Sequence, residues 1–289
     1  MTHPAAGIRR TNPDLVGVFS GGGAKAAAHL GAFRALEELH LRPTRLLGTS
    51  MGAVFATLFA SGLSAGEARE RVDLVGEREF LRSEPLAFLK GLWARNLLKP
   101  EPFRRALERM IDARRFQDLR FPLSVTATAL DTGELTLFGA GGVETPLIDA
   151  LLASCALPLF FPPVLIDGRP YADGGLRAVL PLEPAAAIPA RLVIAIDVGP
   201  GFDDRSTPAA SGVPPLVAIH NQADEILMAG QTEAQLALWR LDSRRAHLVY
   251  VRPLLDRGGT FRVDQVDRYV EVGYQAAQHA LAHLNSGPG

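Results

Sequence analysis

Gly48-Thr49-Ser50-Met51-Gly52 follows the short apolar run Leu46-Leu47 and precedes Ala53-Val54-Phe55-Ala56-Thr57-Leu58-Phe59. The pattern predicts a strand, a sharp turn and a helix, with a serine at the turn. Such a turn strains the backbone and presses strand against helix, so the flanking positions 48 and 52 have room only for small residues. G-x-S-x-G matches also arise by chance as ordinary glycine-flanked turns. It is the strand-turn-helix setting that makes Ser50 a candidate nucleophile.

Upstream, Leu15-Val16-Gly17-Val18-Phe19-Ser20 runs into Gly21-Gly22-Gly23-Ala24-Lys25. From Ala26 to Leu39 the apolar and small residues fit a helix with one buried face. The glycines therefore lie at a helix N-terminus, where unpaired N–H groups can face an anion and missing Cβ atoms allow close approach. A phosphate and the oxyanion formed when a serine attacks an ester both suit such a loop. The spacing is not G-x-G-x-x-G, and Lys25 is followed by Ala26, so the hydroxyl with which a P-loop binds magnesium is missing. A tight turn with close helix packing is the third reading.

Serine needs a nearby proton acceptor. Asp173, in Tyr171-Ala172-Asp173-Gly174-Gly175, is one candidate, although D-G-G is also an ordinary turn. A histidine triad is the competing arrangement. His220 and His247 follow the serine in the required order, but one sits in a helix-like stretch and the other in a strand-like one, without a supporting loop signature. His29 lies on the helix after the glycine loop, where packing or a structural hydrogen bond is expected.

Taken together, Gly21-Gly22-Gly23-Ala24-Lys25, Gly48-Thr49-Ser50-Met51-Gly52 and Asp173-Gly174-Gly175 resemble the three signature blocks of the patatin-like phospholipases. A fourth stretch, Ala153-Ser154-Cys155-Ala156-Leu157-Pro158, resembles the segment that family carries before its D-G-G block. The resemblance covers roughly residues 14 to 200 and points to a bacterial type close to the catalytic unit alone. It implies a Ser50–Asp173 dyad and an oxyanion hole built from Gly21, Gly22, Gly23 and Ala24, with Lys25, Gly48, Gly52, Gly174 and Gly175 in support. It also implies a three-layer α/β/α patatin-like fold and hydrolysis of phospholipid or lysophospholipid esters through an acyl-enzyme. Thioester or general ester hydrolysis, and lipid binding without catalysis, are the alternatives.

Composition agrees with an enzyme-sized domain. The 289 residues are 47% hydrophobic with a formal net charge of −1, enough for a large core without disulfides. The single cysteine, Cys155, cannot form an intrachain disulfide, and no base lies near it in sequence, so a small buried residue is expected. No cofactor, and no metal or calcium motif, is indicated. Acidic residues interrupt the basic clusters, which argues against nucleic-acid binding. Residues 1–12 predict a flexible polar leader and 13–289 one domain, with a mobile loop at 200–215. Without an apolar span of 18 residues, a cytoplasmic protein is expected. Segment 84–99, rich in Leu, Phe and Trp with interspersed Lys and Arg, suits either a lid that touches lipid at the inner membrane face or ordinary helix packing.

The remaining elements predict a largely parallel sheet covered on both sides. Strands are expected at 121–130, 135–138, 191–199 and 248–251, and helices at 147–156, 215–241 and 266–284.

Overall fold

The computed structural model describes residues 15–75, 98–204, 215–256 and 262–284. The leader 1–12, most of segment 84–99 and most of loop 200–215 lie outside the described residues. One sheet is built from β1 (Leu15–Phe19), β2 (Arg45–Thr49), β3 (Leu123–Ala129), β4 (Leu135–Gly139), β5 (Val164–Ile166), β6 (Arg169–Asp173), β7 (Leu192–Ile196) and β8 (His247–Val251). Its helices are α1 (Ala28–Glu38), α2 (Met51–Ala60), α3 (Ala65–Asp73), α4 (Pro100–Met110), α5 (Leu147–Ser154), α6 (Gly175–Ala178), α7 (Leu182–Ala186), α8 (Pro215–Leu241) and α9 (Val266–Leu281).

The order β3-β2-β1-β7-β8 is parallel throughout. Strands in that setting are buried on both faces and read as continuous apolar runs, and all five residues of β1 are buried. Successive side chains divide between two cores, as the period of two requires. Leu15, Phe19, Leu46, Ile194 and Ile196 join α1, α2, α5 and α9 on one face. Val16, Val18, Leu47, Val193 and Ala195 join Leu182 of α7 and Leu236 and Trp239 of α8 on the other. Each fully buried side chain of this size stabilises the fold by roughly 1.5–3 kcal/mol. The architecture is the expected three-layer α/β/α.

The other end of the sheet is antiparallel: β4 and β6 both run against β3, and β5 pairs with β6. β4 occupies one edge of β3 over Ser124–Thr128, so the strands that overlap it in register must use the opposite edge. β2 pairs there with Leu123–Thr126 and β6 with Ala127–Ala129. β2 and β6 therefore lie end to end along one edge of β3. Thr49 is opposite Thr126 and Asp173 is opposite the next residue, Ala127. The two strand ends that carry the D-G-G and G-x-S-x-G blocks meet at this point.

Candidate active site

Ser50 follows β2 and is the N-cap of α2, with φ 53 and ψ −134. This positive φ is uncommon for a residue with a side chain, and it turns the serine out of the sheet as strand becomes helix. A Cβ added at Gly52 would lie 2.2 Å from the Ser20 carbonyl oxygen, and one at Gly48 2.5 Å from the Ala53 Cα. The two glycines beside the serine are thus required by backbone contact, as their spacing suggested.

The Ser50 hydroxyl donates to Asp173 Oδ2 at 2.7 Å. The other carboxylate oxygen accepts the Gly175 N–H at 2.7 Å, and Thr128 donates to the Asp173 carbonyl at 2.9 Å. Asp173 is only 4% exposed. Burial pushes its carboxyl up to about 6, against the opposing pull of the Gly175 N–H and the Ser50 hydroxyl. At neutral pH it is an ionised acceptor with a raised proton affinity, the condition a general base needs.

The glycine loop follows β1 and leads through a 3₁₀ turn, Gly23–Ala27, into α1. A Cβ at Gly21 would stand 3.1 Å from the Ser50 Cβ, so the loop lies directly against the serine. Gly21 itself needs a correction as an oxyanion donor, because its N–H is taken by the Val179 carbonyl at 2.9 Å. Among the described residues no group accepts from the N–H groups of Gly22, Gly23 and Ala24. They begin a helical segment, as α2 does at Ser50, and the N-terminal ends of both helices favour negative charge there.

Lys25 is buried, with its ammonium 3.9 Å from Asp204. Burial lowers its pKa, and Asp204 opposes the shift. Asp204 is in turn bonded to Arg252 at 2.6 Å, and Arg252 donates to the carbonyls of Asp197 and Gly199 at 3.2 and 2.8 Å. Tyr250 donates to Asp197 Oδ2 at 2.7 Å. Lys25 therefore anchors the loop helix to a buried ionic cluster at the ends of β7 and β8. Its spacing carried no signal of this, since Arg252 lies far away in the chain. The described part of the 200–215 loop, Pro200–Asp204, belongs to the same cluster.

Among the described residues, the histidines weighed for a triad make their contacts elsewhere than at the serine–aspartate pair. His29 is fully buried, and its Nε2–H donates to the Ser20 carbonyl at 2.9 Å. Burial holds its pKa down at about 4, despite that hydrogen bond. It is a neutral brace for the glycine loop. His220 faces Asp224 on α8 at 3.4 Å, and His247 is exposed at the start of β8. Burial, with the Asp173 carboxylate nearby, raises the Cys155 thiol well above its ordinary value, which leaves it protonated and inert. Among the described residues no group of three or more His, Cys, Asp or Glu could hold a metal ion.

The chain is similar to known proteins in both sequence and fold. The family model described as "Patatin-like phospholipase" matches residues 17–186. An uncharacterized NTE family protein of Mycobacterium tuberculosis is 31% identical over 199 residues, which is 67% of this chain and 52% of that protein. Patatin-like phospholipase domain-containing protein 6 of Homo sapiens is 28% identical over 287 residues, 93% of this chain and 20% of that protein. The chain thus spans about half or less of the length of these relatives, and they are bacterial and animal alike, so the likeness is not to a bacterial type in particular. The crystal structure of VipD from Legionella pneumophila shares the fold, with a TM-score of 0.50 at 16% identity, covering 94% of this chain and 67% of that one. No helix among the described residues is long and apolar enough to cross a membrane.

Proposed function

Because the chain belongs to the patatin-like phospholipase family, we propose that it hydrolyses carboxylic esters of phospholipids or lysophospholipids with Ser50 as nucleophile and Asp173 as its base. The observation that carries the reading is the 2.7 Å hydrogen bond from the Ser50 hydroxyl to a buried carboxylate.

Ser50 Oγ adds to the ester carbonyl while its proton passes to Asp173 Oδ2. The charge that develops on the carbonyl oxygen is met by the N–H groups of Gly22, Gly23 and Ala24, and such preorganised donors contribute about 3–4 kcal/mol each in comparable sites. Asp173 then returns its proton to the departing alcohol oxygen, leaving an acyl-Ser50 ester. Water attacks that ester with Asp173 again taking a proton, and the tetrahedral intermediate expels Ser50, which is reprotonated as the fatty acid leaves. The expected setting is the cytoplasm, with peripheral contact at the inner membrane face.

The test is covalent capture with an active-site fluorophosphonate, read by intact mass and peptide mapping, beside a panel of phospholipid, lysophospholipid, thioester and short-chain ester substrates. One adduct on Ser50 and fatty-acid release from the lipids support the reading. A folded protein that binds lipid vesicles yet takes no adduct would make it a binding protein, and preferential thioester cleavage would move the substrate class.

A further inference from the structure

Ser50 sits in a backbone conformation that must be held in place. A residue with a side chain at φ 53 and ψ −134 persists only where its surroundings over-determine it. Two backbone hydrogen bonds do this at Ser50: its carbonyl accepts the Ala53 N–H at 2.9 Å within the helix start, and its own N–H donates to Ser154 Oγ at 2.8 Å. The second comes from a different element. Ser154 is the last residue of α5 and is fully buried.

The same short segment holds the acid. The Ser154 carbonyl accepts the Gly174 N–H at 3.4 Å, and the Ala156 carbonyl accepts the Asp173 N–H at 3.0 Å. β2 and β6 share no ladder of their own, since each pairs with β3. The Ser154–Ala156 segment therefore spans the dyad: the Ser154 hydroxyl holds Ser50, its carbonyl holds Gly174, the residue after the acid, and the Ala156 carbonyl holds Asp173 itself. The Ser154 hydroxyl also occupies the Ser50 N–H, so that group is not free to bind an oxyanion.

We propose that Ser154 is a positioning residue for hydrolysis. Its hydroxyl fixes the turn at Ser50 so that Oγ stays within reach of Asp173 as the proton moves. The inference rests on the Ser50–Asp173 reading given above. Loss of the hydroxyl lets the turn relax and lengthens the Oγ–Oδ2 contact, which slows proton transfer without changing the surface that binds substrate. A second signature accompanies the first. The Ser50 hydroxyl helps hold the Asp173 carboxyl down, so a weaker bond moves the acid limb of the pH–rate profile upward.

The experiment compares wild type, Ser154→Ala, Ser154→Thr and Ser154→Val, using fluorophosphonate labelling and a short-chain p-nitrophenyl ester across pH, with melting curves as a check on folding. Thr and Val have matched shapes and differ in the hydroxyl, so that pair answers the question even where Ala fails to fold. Expected are a fall in labelling rate and kcat of about ten- to a hundredfold for Ala and Val, KM within about twofold, an acid limb displaced upward, and substantial rescue by Thr. Equal rates in Thr and Val, or a slowed Ala variant with an unmoved acid limb, would overturn the assignment. A wild-type protein that takes no label at Ser50 would instead overturn the dyad reading beneath it.

Discussion

Ser50 and Asp173 are 123 residues apart in the chain, yet their side chains are joined by a 2.7 Å hydrogen bond. This contact sets the first expectation. Ser50→Ala and Asp173→Asn both fold, and each lowers ester hydrolysis by about a thousandfold or more. In wild type the base must be ionised, so kcat/KM rises with pH through the Asp173 pKa of about 6 and levels off above it. A pH–rate profile with no limb in that region would count against Asp173 as the base.

Stability depends on the same group with the opposite preference. The Asp173 carboxyl is raised to about 6 in the native state from 3.8, so between those values the folded protein binds the proton more tightly. Its contribution therefore falls as pH rises through that window. Asp173→Asn should be the more stable protein at pH 8 by up to about 3 kcal/mol, and the advantage should vanish near pH 4. Urea unfolding at a series of pH values checks this.

His29 slopes the other way. Its pKa is depressed to about 4 from 6.5, so the unfolded chain takes up the proton first and stability is lost as pH falls through that window. The two contributions oppose each other and are of similar size, about 3 kcal/mol each. Wild type should therefore vary little between about pH 4 and 6 on their account. Asp173→Asn should gain stability with rising pH there and His29→Gln should lose it. Parallel slopes in the two variants would refute this balance.

Gly52→Ala places a methyl group 2.2 Å from the Ser20 carbonyl, where backbone meets backbone and neither side can yield by a rotamer change. We expect a loss of about 3 kcal/mol or more, read as a lowered melting temperature. The surviving folded fraction should label slowly, since the displaced loop is the one that carries the proposed oxyanion donors.

In the buried ionic cluster, removing Lys25 and removing Arg252 should differ. Asp204 keeps Arg252 when Lys25 becomes Met, and the buried ammonium's desolvation is relieved, so Lys25→Met should cost little. Arg252→Met leaves the buried Asp197 and Asp204, and the exposed Asp203, without the guanidinium they share, and breaking the buried pairs costs about 3–5 kcal/mol. Denaturant midpoints of the two variants give the comparison directly.

The parallel half of the sheet was legible because a strand buried on both faces leaves a continuous apolar run, as in Leu192–Ile196, and because α8 begins and ends where its pattern does, at Pro215 and Leu241. The antiparallel end was less so. β5 has three residues and β6 contains Pro170, so neither carries a clear alternation, and the D-G-G block, which also fits an ordinary turn, gives no sign that Asp173 is a strand end. α3 and α4 are not among the helices the sequence predicts; in α4 the buried face of Phe103, Leu107 and Met110 alternates with Arg104, Arg105 and Arg109, so no continuous apolar run marks it. The pairing of Ser50 with Asp173 was inferred from the motifs. The hydroxyl of Ser154 and the occupied N–H of Gly21 could come only from geometry, because hydrogen bonds between distant segments leave no periodic trace.

The three residue pairs that seat Asp173 on the edge of β3, Ala127 with Asp173, Thr128 with Ala172 and Ala129 with Tyr171, act as a ruler. The chain between residues 130 and 168 can lengthen or shorten at its exposed turns without disturbing the chemistry, provided the ruler and the contacts of Ser154 and Ala156 are kept. A slip of a single residue along it would carry the carboxylate about 3.3 Å away and turn it to the opposite face of the sheet. Tolerance to insertion and intolerance to slippage should thus sit side by side in this part of the molecule.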